Sequence, residues 1–126
     1  MTTVLWIAAG GAVGSAARYG LNLGLSRLHA QNFPWGIFAV NVLGSLAMGV
    51  LVALFARKWP ESETLRLALT TGFLGGFTTF SAFSYDAVAL IEWGEMGTAT
   101  VYILASVGLS ILACFLGLWL VRAFAA

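Results

Sequence analysis

GFLGGFTTFSAF, residues 72–83, lies in the middle of a long apolar segment and holds two adjacent glycines, two adjacent threonines and four phenylalanines. Glycine in a helix interior costs about 1 kcal/mol relative to alanine, and β-branched threonine is mildly unfavourable there. An uninterrupted membrane helix has no use for such a cluster. The stretch is therefore expected to break a spanning helix near its middle. Irregular backbone survives at membrane depth only where protein or water covers it, because each exposed amide or carbonyl costs several kcal/mol in lipid. A break of this kind marks a place where solutes are handled.

The rest of the chain fits a membrane setting. Its 126 residues are 60% hydrophobic and 9% charged, with a mean hydropathy of +0.94. Soluble domains carry roughly 25% charged residues. The composition implies an all-α integral membrane protein, a single domain over residues 1–126 with no separate soluble part. A net charge of +1 gives no reason to expect nucleic acid. The single cysteine, Cys114, excludes an intrachain disulfide. Met1, Thr2 and Thr3 lack the basic region that opens a cleaved signal peptide, so the first apolar stretch is expected to be retained.

Charges divide the chain into four expected transmembrane helices, at about residues 4–28, 33–56, 65–91 and 97–121. Each is long enough for a hydrocarbon core of roughly 30 Å at about 1.5 Å per residue. Trp6, Trp35, Trp59, Trp93 and Trp119 all fall near span ends, where aromatic belts form. Pro60 and Ser62 supply helix-start chemistry for the third span. An even number of spans puts Arg57, Lys58, Arg66 and Arg122 on the side of the termini, against Arg27 and Arg18 on the other. The positive-inside rule leans towards cytoplasmic termini, on so few charges that insertion both ways round stays open.

Small and polar residues recur at steps of four, so each row follows one helix face. The first span offers Gly10-xxx-Gly14 and Gly20-xxx-Gly24, the second Asn41, Ser45 and Gly49, the fourth Tyr102, Ser106, Ser110 and Cys114. The glycines are expected to pack helices. The fourth-span row reads either as a packing face or as a hydrophilic track lining a pore. Asn41 brings two amide donors and a carbonyl acceptor. Arg18 is an intramembrane charge and hence a functional position, with snorkelling to the interface as the alternative; in a water-filled vestibule it would attract anions. Asp86 lies nearer a span end and is expected to be solvated or capping. His29 is expected in a loop, and Cys114 as a small filler.

If the glycine pair Gly75 and Gly76 opens the third helix, the freed carbonyls of residues 75–78 are natural ligands for a hard cation, while freed amides would favour an anion. Phe73 and Phe77 are expected to pack against lipid or the core. Phe80 and Phe83 stand beside Thr79, Ser81 and Ser84. Their ring edges, positive in character, would favour an anion without a deep well.

These residues carry a resemblance. Gly10-Gly11-x-x-Gly14-x-x-x-Arg18-Tyr19, then Asn41-x-x-Gly44-Ser45, then Gly72-Phe73-x-Gly75-Gly76-x-Thr78-Thr79-Phe80-Ser81-x-Phe83-Ser84 together resemble the Fluc/CrcB family of fluoride channels over essentially the full length. The resemblance implies an antiparallel, dual-topology homodimer in the plasma (inner) membrane, with two pores that export fluoride passively and relieve its toxicity. It implies Phe80 and Phe83 as paired rings along each pore, Asn41 as a polar pore residue, and Tyr102, Ser106 and Ser110 as the fourth-span track. It places Arg18 at the vestibule. It also implies one structural sodium ion at the dimer axis, held by the backbone carbonyls of Gly75 and Thr78 from both subunits. Ala82 departs from a small hydroxyl residue common in the family, and Asp86 stands where a Glu often sits.

No nucleophile–base pair is visible, so an enzyme is not expected. A small proton-coupled multidrug antiporter is the alternative; it needs an intramembrane carboxylate, for which Asp86 is the one candidate. A non-transporting membrane subunit would leave the polar track and the 72–83 cluster unexplained.

Overall fold

The computed structural model describes residues 2–26, 33–57 and 63–124. Arg27, His29, Lys58, Trp59, Pro60 and Ser62 lie outside the described residues. The described chain forms four helical segments, the third in two pieces: α1 (Thr2–Ser26), α2 (Trp35–Arg57), α3 (63–77), α4 (Phe80–Glu92) and α5 (Met96–Phe124). Among the described residues, α2 and α5 are each long and apolar enough to cross a membrane. The 25-residue α1 is comparably long, but its glycines, Arg18 and Asn22 lower its hydropathy. α3 and α4 are separately short.

Two helix pairs carry the packing, α1 with α3 and α2 with α5. Both rest on backbone-to-backbone contact at glycine. On α1, a Cβ at Gly10 would meet the Ala68 carbonyl and one at Gly14 the Phe73 carbonyl; reciprocally, Gly72 admits the Ile7 backbone and Gly76 the Gly11 carbonyl. On the other pair, Gly49 faces the Cys114 carbonyl and Gly117 the Leu46 carbonyl. Small residues are what let helices approach this closely where lipid removes the hydrophobic drive for association. At Gly20 and Gly24, by contrast, a Cβ would meet nothing within 4 Å among the described residues.

The helices are not uniform. Within α3, residues Ala68–Leu74 are π-helical, and the Gly75 N–H bonds the Thr70 carbonyl. The Thr70 hydroxyl donates to the Arg66 carbonyl at 2.7 Å. Helical geometry then stops at Thr78 (φ −85°, ψ 158°) and Thr79 (φ −153°, ψ 126°), both extended. The glycine pair expected to open the helix stays helical, with Gly75 at φ −62°, ψ −37°. The reason is physical. Gly76 is used for close approach to α1, whereas β-branched threonine accepts extended backbone readily.

α4 returns to α5 through a tight turn. The Glu95 N–H bonds the Leu90 carbonyl at 2.8 Å and the Gly94 N–H bonds the Ile91 carbonyl at 3.0 Å, the paired bonds of a Schellman cap. Gly94 sits at φ +79°, where the missing Cβ matters. The turn lays α4 against α5, and the buried core of Ile37, Val40, Phe83, Ala87, Leu90, Ala99 and Tyr102 fills the space between α2, α4 and α5.

Gly49→Val should disrupt the α2–α5 contact, since overpacking costs roughly 1–3 kcal/mol even where side chains can yield, and here backbone must move. Gly97→Ala, with open space around its α-carbon, should be tolerated. Size-exclusion profiles and melting temperatures in detergent check the contrast; equal behaviour would refute the packing account.

Candidate functional site

The extended pair Thr78 and Thr79 would leave backbone groups unsatisfied if nothing reached it. Asn41, on the facing turn of α2, closes the gap. The Thr79 N–H donates to Asn41 Oδ1 at 2.8 Å, and Asn41 Nδ2 donates to the Thr79 carbonyl at 3.1 Å. The side-chain amide thus pairs with the main chain much as a neighbouring strand would. Gly44, one turn on, leaves room for the Thr78 methyl group. The Thr78 hydroxyl donates back to the Leu74 carbonyl at 2.8 Å, ending α3.

α4 begins with its own cap. The Thr79 hydroxyl oxygen accepts from the Ala82 N–H at 3.1 Å and lies 3.2 Å from Ser81 Oγ. Threonine is a favoured residue at this position because its oxygen satisfies an otherwise unpaired amide of the first turn.

Beside this link lies a cavity of about 260 Å³. Asn41 and Ser45 of α2, the Thr78–Thr79 link, Phe80 and Phe83 of α4, and Ser106, Val107, Ser110 and Ile111 of α5 line it. The two α5 serines define its chemistry. Ser106 Oγ and Ser110 Oγ are buried and have no hydrogen-bond partner among the described residues. A buried hydroxyl without a partner costs roughly 1–3 kcal/mol, so the site favours an occupant that hydrogen-bonds, and an acceptor such as an anion can use both hydroxyl donors. The aromatic wall is asymmetric. Phe83 is 7% exposed and Phe80 76% exposed, their ring centroids 5.5 Å apart. Of the residues that line the cavity, Phe80, Val107 and Ile111 are exposed.

The sequence profile described as CrcB-like protein, Camphor Resistance (CrcB), matches residues 5–118. The chain belongs to the CrcB family. It is 53% identical over 123 residues, 98% of each chain, to a Rhizobium etli protein named fluoride-specific ion channel FluC. A Rhizobium johnstonii protein of the same name is 52% identical over 125 residues, 99% of this chain and all of that one. An Agrobacterium fabrum protein, also of that name, is 52% identical over 122 residues, 97% of this chain and 98% of that one. The CrcB family is one of channels, not of enzymes.

In this CrcB-family chain, five of the expected pore residues, Asn41, Phe80, Phe83, Ser106 and Ser110, meet in one cavity. Tyr102 stands apart. It is wholly buried, its ring 5.1 Å from that of Phe83, and its hydroxyl donates to Asp86 Oδ2 at 3.2 Å. It therefore backs the Phe83 ring rather than facing the cavity. Asp86, expected to be solvated or capping, is half-buried at a second cavity of about 300 Å³ with Asn22, Trp35 and Trp93. Arg18 is half-buried on α1 and lines neither cavity. Gly75 lies away from the first cavity, on a separate open depression with Arg66 and Thr71.

Ser45 and Thr79 also line the cavity, and the sequence reading does not name them among the site residues. Ser45 carried a usable signal, one turn from Asn41 in the same row. Thr79 carried one too, a threonine directly ahead of a helical run.

Thr79→Ala should lower stability by about 1 kcal/mol through the lost cap, while Thr79→Ser should retain most of it. Equilibrium unfolding in mixed micelles measures both; an unchanged Ala variant would mean the cap contributes nothing.

Proposed function

We propose that the chain is a fluoride-selective channel that lets fluoride leave the cytoplasm passively across the inner membrane. The observation that carries this reading is the pair of buried, unpartnered hydroxyls of Ser106 and Ser110 opposite the Phe80–Phe83 rings. Fluoride is small and strongly hydrated, so a path for it must replace water's donors. Two serine hydroxyls, the second N–H of the Asn41 amide and the positive ring edges are such donors. None carries a full charge, which leaves binding weak enough for release, as conduction requires. The names of relatives at about half identity over nearly the whole chain support the choice of ion.

The working unit in this reading is a homodimer of antiparallel copies with two pores. One copy leaves the cavity open and Phe80 exposed, so a second surface is needed to complete the wall. Arg18, in this reading, lies at the vestibule and attracts the anion.

A sodium ion fits the link chemically. The Thr79 N–H, which in a continuous helix would bond the Gly75 carbonyl, bonds Asn41 instead. The Ala82 N–H, which would bond the Thr78 carbonyl, bonds the Thr79 hydroxyl. The helix donors of both carbonyls are thus redirected, and carbonyl oxygens suit a hard cation. The described residues hold no cluster of three His, Cys, Asp or Glu that could serve instead. Gly75 and Thr78 would hold the ion, and it would offset the partial charge of their carbonyls.

Liposomes containing purified protein should release fluoride rapidly under a gradient and retain chloride. Ser106→Ala, Phe80→Ala and Phe83→Ala should cut fluoride release well beyond any loss of folded yield. Absence of release in the unmutated protein would sink the channel reading. Cysteine cross-linking of reconstituted protein should yield antiparallel pairs. Exclusively parallel products would refute the assembly.

A further inference from the structure

Asn41 stands in the cavity wall, yet its two hydrogen bonds point along the backbone of the link, not into the open space. Oδ1 accepts from the Thr79 N–H at 2.8 Å and Nδ2 donates to the Thr79 carbonyl at 3.1 Å. These bonds do what the interrupted helix cannot. A Thr79 N–H without Asn41 would have one local acceptor to return to, the Gly75 carbonyl four residues back, and the chain would tend to close into continuous helix.

We propose that Asn41 is a positioning residue: by pairing with both polar groups of Thr79 it keeps the third helix open and holds the Gly75 carbonyl free of its helical donor. One side chain then governs two places. On one side it forms part of the cavity with Phe83 and Ser106. On the other it sets the availability of the carbonyl of Gly75, a residue that lines a different depression with Arg66 and Thr71. The state of the cavity and the cation-binding capacity of the link are coupled through Thr79.

The surroundings support a clamp rather than a freely rotating amide. Val40, beside Asn41, is fully buried, and Gly44 brings α2 close enough for the Thr78 methyl group to fill the place of its missing Cβ. Thr79 itself is 9% exposed, so the paired groups have little access to water as an alternative partner. Its hydroxyl is already engaged with the Ala82 N–H. Among the described residues Asn41 is thus the link's one side-chain amide partner, 38 residues from Thr79 in sequence.

The test compares Asn41→Ser, which is too short to reach both groups, with Asn41→Leu, of similar size and apolar, and with Phe83→Ala as a variant of the cavity wall alone. Purified proteins are melted in sodium and in N-methylglucamine salts without fluoride, and amide exchange is followed over residues 78–82. Both Asn41 variants are expected to lose the sodium-dependent rise in melting temperature, together with fluoride release from liposomes. Phe83→Ala is expected to lose release and keep the rise. Exchange in the link of the Asn41 variants should change about tenfold or more, while α5 stays as protected as before. An Asn41→Ser protein that keeps both the sodium effect and unmutated exchange would overturn the proposal. The sodium arm rests on the carbonyl reading above. Should the unmutated protein show no sodium effect, that reading fails, and the exchange arm still decides the clamp.

Discussion

The arrangement depends on one constraint: a helix interrupted in an apolar setting must find partners for the backbone groups it gives up. Here the interruption spans two residues, and three of the groups freed near it have an identifiable fate. The Thr79 N–H and carbonyl go to Asn41, and the Ala82 N–H goes to the Thr79 hydroxyl. What remains is a small set of carbonyls at the end of α3 and the first amides of α4. The site's chemistry follows from that remainder, because groups already paired within the fold cannot serve an ion.

Holding such a link in place requires rigid neighbours, and the glycine contacts provide them. α1 and α3 meet backbone to backbone at Gly10, Gly14, Gly72 and Gly76, and α2 and α5 do so at Gly49 and Gly117. Contacts of this kind tolerate little sliding, because a shift along the axis drives a carbonyl into the neighbouring turn. The α2–α5 contact fixes the serine row opposite Asn41. The α1–α3 contact fixes the π-helical stretch and, through it, the point at which α3 ends. Together they set the cavity's two sides independently of any occupant.

Much of this was legible in the sequence where a regular helix preserves spacing. Asn41 and Ser45 share a face, as do Ser106 and Ser110, because a step of four survives intact in α2 and α5. The site's location at residues 78–83 followed from the same threonines and phenylalanines that disturb helix propensity. Two matters were not legible. The opening falls at Thr78 and Thr79 and not at the glycine pair, because propensity registers what a glycine costs a helix but not the neighbouring backbone that a glycine admits. Nor did anything local mark Tyr102 as a support for Phe83 and a donor to Asp86, since it keeps the serine row's spacing. The identical-looking Gly20-xxx-Gly24, where an added Cβ would meet nothing among the described residues, makes the same point: a motif states what is permitted, and tertiary context decides whether it is used.

The link also orders charge along a short distance. α3 ends at Phe77 and α4 begins at Phe80, so the carbonyl end of one helix and the amide end of the next lie two residues apart. Carbonyl ends favour cations and amide ends favour anions. Were the helix continuous, these partial charges would cancel within its own hydrogen-bond ladder. By opening it with neutral side chains, the fold exposes both polarities without placing a formal charge in the cavity wall. That bears on conduction: a lysine or arginine among Ser106, Ser110 and Phe83 would hold a small anion too tightly, whereas dipoles and ring edges can take up its lost hydration and still release it. Amide and hydroxyl chemistry in the cavity wall is in this sense a requirement of the proposed activity, and it is the chemistry that Asn41, Ser45, Thr79, Ser106 and Ser110 bring there.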